Sequence, residues 1–459
     1  MRIHRMLWLL AAAIGLGTWT APTALASRVD TWEGLFIRGD VSDTNVFPHL
    51  MIDYEGSMYL IYAEAPGAGA GTRIAEQDEQ RFMAGVVASL WGDADSEQEL
   101  VGGCSIGDRR SYNPIASYNN PHTRRPAAAL RNGSDFRQNA GIGLSSTLEP
   151  QDRFQASLAY RFSDRLSLGV AYAQGSNEST VETDPLLSAP TTTFGSTIDY
   201  TTFTASLEYD LGLPYLQSIQ YGGSFTSGTH EERENGKGDN GGYAGNLRAN
   251  LGEINGWDTS LQVGVHQMNS DYTFDVPDDF TGTIPQFDSK DCGWNLDFGG
   301  TFDVGRNSNI SATAGVASTI SRFVDTADPF FDKVITSTQS DIVPTCGVAG
   351  SIGLSDRWTV DLGATGAFDQ SQRSVSRETA DDHEIVTTWE EVANMRYRVG
   401  LFYERPIGTD HNGDGEGDGS FGVSATFDPD ALTQNPIRGD ASASNDAWLS
   451  NVAVTYTFD

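Results

Sequence analysis

Between residues 153 and 174 the chain reads RFQASLAYRFSDRLSLGVAYAQ, with Phe154, Ala156, Leu158, Tyr160 and Phe162 on one phase. Leu166, Leu168, Val170 and Tyr172 resume that phase after Ser163-Asp164. The positions between are small or polar: Gln155, Ser157, Arg161, Ser167 and Gly169. A period of two is that of a β-strand with one apolar and one polar face. The pattern recurs to the C-terminus and predicts strands over 139–148, 153–162, 165–175, 197–210, 216–228, 241–251 and 257–270. It continues over 290–304, 308–322, 339–354, 357–371, 388–405, 418–428 and 446–458. Each span meets or exceeds the roughly 9–11 residues that a tilted strand needs to cross a bilayer. No segment between them keeps a helical period of apolar residues.

The connections alternate in length. Ser163-Asp164, Leu211–Tyr215, Gly252–Gly256, Gly305–Asn307 and Ser355-Asp356 are short. Between them fall 176–196, 229–240, 271–289, 323–338, 372–387 and 429–445, long and mostly rich in Asp, Glu, Ser, Thr or Gly. A soluble sandwich has no reason to lengthen every second turn, whereas a membrane barrel has short periplasmic turns and long outer loops. The alternation breaks at Glu149–Asp152 and at 406–417. The chain therefore reads as all-β, a transmembrane antiparallel up-and-down β-barrel of about fourteen strands over 139–459. In that reading Phe154, Leu158, Tyr160, Leu168, Val170 and Tyr172 face lipid, and Gln155, Ser157, Arg161 and Ser167 face a wet lumen.

Residues 27–138 read differently. Segments 50–64 and 81–92 could pair as one more hairpin, giving sixteen strands, while 94–136 shows no convincing period. The alternative, favoured here, is an N-terminal plug or periplasmic segment. At the very start, Arg2, His4 and Arg5 precede the apolar stretch 6–17, and Ala24-Leu25-Ala26 precedes Ser27. That is the pattern of a signal peptide over 1–26 and of an exported chain.

Composition fits this picture without demanding it. Only 38% of residues are hydrophobic and the formal net charge is −33. A membrane barrel gives such averages because only alternate strand residues meet lipid. The acidity argues against nucleic acid and anionic headgroups as direct partners. Cys104, Cys292 and Cys346 make no disulfide framework. The last two fall on strands expected to be separated by a third, roughly 9–10 Å apart and beyond bridging.

With VAVTYTFD at its end, the chain resembles bacterial outer-membrane β-barrel proteins, porin-like or transporter. Val452, Val454, Tyr456 and Phe458 match the alternating C-terminal strand that barrel-assembly machinery reads, with Asp459 one residue beyond the usual terminal aromatic. The stretch DTNVFPHL (43–50) is similar to the N-terminal segment of FadL-like transporters of hydrophobic compounds. That family has fourteen strands and a hatch in the lumen, and no binding residue is carried over from it. Autotransporter translocation domains share the C-terminal pattern but need a longer segment before the barrel. The resemblance implies a Gram-negative outer-membrane location, with lipid and lipopolysaccharide as surroundings. A homo-oligomer would use the same apolar face as lipid, so the oligomeric state is open.

The candidate functional residues are inward-phase charges: Arg161, Arg248, Arg396, Arg398, Glu208, Asp297, Asp303, Asp361 and Glu404. As opposed rows across a pore they would set a transverse field and select permeant charge. As neighbours they would instead pair into ladders that stabilise the wall. The stretch DHNGDGEGDG places Asp410, Asn412, Asp414 and Asp418 at the spacing of a Ca²⁺ loop, with Gly415 at the turn. Phe421 stands where an EF-hand carries its bidentate Glu. A solvated turn is the plainer reading. Seven scattered histidines form no metal-spaced pair, and no catalytic motif appears, so no enzyme is expected. The expected function is passage of small solutes. The alternatives are a non-transporting anchor or scaffold with acidic outer loops, and a soluble exported sandwich or propeller.

Overall fold

The computed structural model describes residues 44, 46–64, 80–92, 98–107, 152–181, 194–232, 236–274 and 286–305. It further describes 308–328, 333–355, 357–378, 383–407, 419–427 and 449–457. Among these residues there are sixteen strands. The first three are β1 (Ser57–Glu64), β2 (Gln80–Trp91) and β3 (Glu99–Gly107). Then come β4 (Asp152–Ser163), β5 (Leu166–Val181), β6 (Phe194–Leu213), β7 (Leu216–Glu232), β8 (Gly236–Ile254) and β9 (Trp257–Phe274). These are followed by β10 (Gln286–Gly305), β11 (Ser308–Asp328), β12 (Lys333–Gly353) and β13 (Trp358–Glu378). The last are β14 (His383–Ile407), β15 (Gly419–Phe427) and β16 (Leu449–Thr457). Every strand pairs antiparallel with its neighbours in sequence, and β1 pairs with β16 from Ser57↔Thr457 to Ala63↔Asn451, closing the ring. Closure removes the unpaired edges that a bilayer would not tolerate.

The two faces separate as the alternation requires. Leu158, Leu168, Val170, Phe203, Phe225, Val265, Trp294, Leu296 and Ile320 are exposed, while Ser157, Thr202, Thr204, Ser206, Thr226, Asn246 and Asn295 are buried. An apolar side chain left open beside a buried hydroxyl or amide is the reverse of a soluble core. It is the arrangement of a barrel whose outer solvent is lipid. At the short-turn end the outer face carries aromatic pairs: Trp91 stacks with Tyr160, while Trp257 with Phe302 and Trp358 with Tyr403 are tilted, at centroid distances of 6.4, 5.6 and 4.8 Å. A second tier includes Phe154, Phe203, Phe225 and Tyr243. From Phe162 to Phe154 is about 27 Å of strand, or roughly 20 Å along the axis at the usual tilt, close to the height of a lipid-facing band. The short turns follow local chemistry too: between β8 and β9, Asn255 (φ 53°) and Gly256 (φ 85°) supply the two left-handed residues of a tight hairpin.

Three features differ from the sequence reading. The barrel begins at Ser57 rather than at 139: β1 and β2 are the extra hairpin, and β3 is a strand where no period was legible. The predicted strand 139–148 lies outside the described residues, so the described sixteen strands are thirteen of the predicted fourteen plus β1, β2 and β3. The cause is on the inner face, where Val87 and Val101 are apolar and buried against Met51 and Ile52, so apolar residues point both ways and the alternation vanishes. Finally, much of the expected loops 229–240, 323–338 and 372–387 is paired strand, as in β13 and β14, which run together from Trp358↔Tyr403 to Glu378↔His383. Beyond the bilayer both faces are wet, so pairing continues while the apolar phase stops. Cys292 and Cys346 lie on β10 and β12 with β11 between them, and all three cysteines are free.

Candidate lumenal site

Four of the predicted charges lie on one cross-strand row. Its register runs Glu99↔Arg161↔Ser167↔Glu208↔Gln220↔Arg248↔Gln262↔Asp297, from β3 through β10. Successive groups are therefore neighbours along the wall with alternating signs, in a row that spans about half the ring. Arg161 pairs with Glu99, which is fully buried, at 3.2 Å. Arg248 donates from Nε to Gln262 Oε1 at 3.1 Å. Glu208 Oε1 accepts from Ser218 Oγ at 2.7 Å and from Gln220 Nε2 at 3.1 Å. The row is a hydrogen-bonded ladder, the arrangement expected to stiffen a wall. Breaking it at the buried end is costly: Arg161→Ala should destabilise the barrel by roughly 3 kcal/mol, since a buried carboxylate loses its cation. Denaturant titration in detergent micelles, read by tryptophan fluorescence, measures the loss.

The other predicted charges are distributed differently. Asp297 accepts from Asn295 Nδ2 at 2.5 Å. Asp303 and Asp361 share a second row, Asp303↔Asn309↔Ser351↔Asp361, where Ser351 Oγ donates to the buried Asp361 at 2.6 Å. Glu404 stands half-buried near the end of β14, opposite Gly422. Arg396 and Arg398 are in register with Thr365 and Gly363, and their side chains lie outside the described residues. The candidate Ca²⁺ loop with Asp410, Asn412, Asp414 and Asp418 also lies outside them, as does the signal peptide expected over 1–26.

The plug expected within 27–138 comes with no named contacts, and the described part of that segment lies beside the ladder. Residues 48–54 form a 3-10 turn inside the barrel, preceded by Phe47 and leading through Gly56 into β1. This insert lies along a row of small wall residues adjacent to the charge row, Val101↔Ala159↔Gly169↔Ser206↔Gly222. A Cβ added at Gly169 would come within 2.1 Å of His49 N and 2.4 Å of the Pro48 carbonyl carbon, and one at Gly222 within 2.4 Å of Val46 O. Backbone thus lies on backbone, which only glycine allows. Met51 and Ile52 pack with Val87, Val101 and Ala159. The Phe47 ring is fully buried beneath Arg248, whose guanidinium carbon is 4.6 Å from the ring centroid. Burial of Phe47, Met51 and Ile52 together contributes about 5–8 kcal/mol to docking.

His49 holds the centre of the insert. Ser206 Oγ accepts from the His49 backbone N–H at 3.0 Å and lies 2.8 Å from Nδ1. In the tautomer where the Ser206 hydroxyl donates to Nδ1, the ring proton is on Nε2, which lies 3.6 Å from Glu208 Oε2. Burial, and then the nearby Arg248 charge, hold the His49 pKa down to about 3, so the ring is neutral at ordinary pH. The folded pKa lies below the unfolded one, so the unfolded or undocked histidine binds its proton first. Docking is therefore at full strength above about pH 6.5 and weakens as pH falls toward 3. His49→Gln should flatten that dependence, as limited proteolysis of the insert across this pH range would show.

No protein-family model matches the sequence, and no curated protein matches it. Solved structures do. The chain is similar to the translocator domain of the autotransporter NalP from Neisseria meningitidis, at 13% identity over 72% of this chain and 95% of that one, with a TM-score of 0.31. It is also similar to the alcaligin outer-membrane receptor FauA from Bordetella pertussis, at 10% identity over 87% and 75% of the two chains, TM-score 0.32. A mutant of the TodX monoaromatic hydrocarbon channel aligns at 9% identity over 90% and 92%, TM-score 0.33. The assignment stands on the chain's own geometry: a closed antiparallel ring, apolar outside and polar inside, is a β-barrel of the outer-membrane kind.

Proposed function

We propose that the protein is a channel of the bacterial outer membrane that passes small polar solutes. One observation carries this reading: sixteen strands close a ring whose described inner face is mostly hydroxyls, amides and charges. A ring of that size encloses more room than wall side chains fill, and in porins it holds water. The insert packs on β2 to β8, which supports a channel narrowed on one side. A FadL-like path for hydrophobic compounds would need an apolar lining. The apolar inward cluster at Val87, Val101 and Ala159 is instead occupied by Met51 and Ile52. The pairing of β16 with β1 supports assembly by the machinery that reads a C-terminal strand.

A non-transporting scaffold is the second reading, favoured by β6 to β14, which at 17 to 25 residues rise well past a bilayer as polar ribbon. Liposome swelling separates the two. Vesicles holding the mature protein should swell in neutral sugars at rates that fall with sugar size. Folded protein that swells vesicles no faster than a protein-free control supports the scaffold.

A further inference from the structure

We propose that Lys290 and Arg322, side by side on the outer face of β10 and β11, form a binding site for a lipid phosphate of the outer leaflet, the phosphorylated glucosamine of lipopolysaccharide. The site rests on the barrel and is independent of the channel reading.

Phase and register give its place in the wall. The outward phase of β10 runs Phe298, Leu296, Trp294, Cys292 and then Lys290, and that of β11 runs Ile310, Val316, Ile320 and then Arg322. Each cation is the first outward charge beyond the apolar run of its strand, at the long-loop end, which in such barrels faces outside. The two are directly opposite in the ladder, and Asn269 of β9 and Thr338 of β12 extend the row on either side. Both cations are exposed.

Like charges directly opposite destabilise a sheet. The pair is therefore unexpected in a chain with 29 basic residues against 62 acidic ones. One step farther from the bilayer, Asp288 stands opposite Asp271 on the same face. Among the described residues neither Lys290 nor Arg322 has an ion-pair partner. Asp271 instead accepts from the Asp239 backbone N–H at 2.8 Å. Cross-strand Cβ atoms are about 5 Å apart, so both cations reach one phosphate. The guanidinium fork takes two of its oxygens and the ammonium a third. Asn269, whose Oδ1 accepts from Gln267 Nε2 at 3.2 Å, offers its own Nδ2 beside them. The net charge of −33 repels anions arriving from solution, and the Asp271–Asp288 row guards that side. A phosphate carried on acyl chains comes from below, along the exposed Trp294 and Ile320. The occupant is therefore a lipid, and the whole-chain argument against anionic headgroups is reversed at this one place.

The test titrates the refolded chain in detergent with lipid A, the acylated and phosphorylated disaccharide of lipopolysaccharide, and counts bound lipid by native mass spectrometry. A cation beside an anionic headgroup is worth a factor of about five in binding, so Lys290→Ala/Arg322→Ala should bind lipid A roughly 25-fold more weakly than the parent. Lipid A stripped of its phosphates should bind the parent about as weakly. Lys290→Arg should bind like the parent, as should Lys237→Ala, which removes a different exposed cation from β8. The substituted side chains are exposed, so the variants should keep the heat-modifiable band of the folded barrel. A folded double variant that holds lipid A as tightly as the parent overturns the site, as does a parent that takes phosphorylated and dephosphorylated lipid A alike. Displacement of lipid A from the parent by inorganic phosphate would mark a free-anion site and overturn the lipid assignment.

Discussion

Gly169→Val will unseat the insert and leave the barrel standing. The added side chain begins 2.1 Å from the His49 amide nitrogen and 2.4 Å from the Pro48 carbonyl carbon. Both are backbone atoms, so no rotamer change relieves the clash and the whole segment must lift. Overpacking alone costs about 1–3 kcal/mol. Lifting also forfeits the hydrogen bonds of His49 to Ser206 and part of the burial of Met51 and Ile52, so the total should reach about 4 kcal/mol or more. The barrel strands keep their own pairing. Limited proteolysis should therefore cut the variant within 44–55 at a rate far above the parent's, while the barrel still migrates as a folded, heat-modifiable band. Gly222→Val should behave alike, because its Cβ meets Val46 O at 2.4 Å. Gly245→Ala is the control: nothing lies closer than 3.8 Å to the added atom, and no change is expected.

Leu158→Arg should be nearly as damaging, for an unrelated reason. Leu158 points outward, pairs with Val170 on β5, and sits midway between the aromatic tiers at Phe154 and Phe162. A guanidinium there is placed near the bilayer midplane, where it costs about 2–4 kcal/mol. Asp303→Arg introduces the same side chain on the inward phase of β10, near the short-turn end and open to water. Its effect on folding should stay below about 1 kcal/mol. Urea-driven unfolding from lipid vesicles measures both. Equal penalties would mean that the outer face does not meet lipid.

These two sites show what the sequence makes legible. From β4 onward, lipid on one side and water on the other impose a strict alternation, so Leu158, Val170 and Phe203 could be assigned to the outer face and Arg161, Glu208 and Arg248 to the inner face by phase alone. Phase does not reveal register. That Arg161, Glu208, Arg248 and Asp297 fall on one row depends on how eight strands slide past one another, which single-strand patterns do not encode. The insert erased the signal locally: Val87 and Val101 are apolar inward because Met51 and Ile52 cover them, so β3 looked patternless and Glu99 went unnoticed. His49 and its seat were hidden for a related reason. Ser206 lies 157 residues away, and Gly169 and Gly222 look like ordinary strand glycines until a backbone is found resting on them. One clue was in view: the run VFPHLMI (46–52) is apolar without alternation, so it suits neither a lipid-facing strand nor a wet loop.

Whether polar solute crosses through this ring beside the insert is decided by the conductance of the refolded chain from Ser27 in a planar bilayer. Steady single-channel steps are expected in the parent, and larger unit steps when Leu50 of the insert is cut to alanine. Protein that is demonstrably folded and inserted, yet shows no steps in either form, would contradict it.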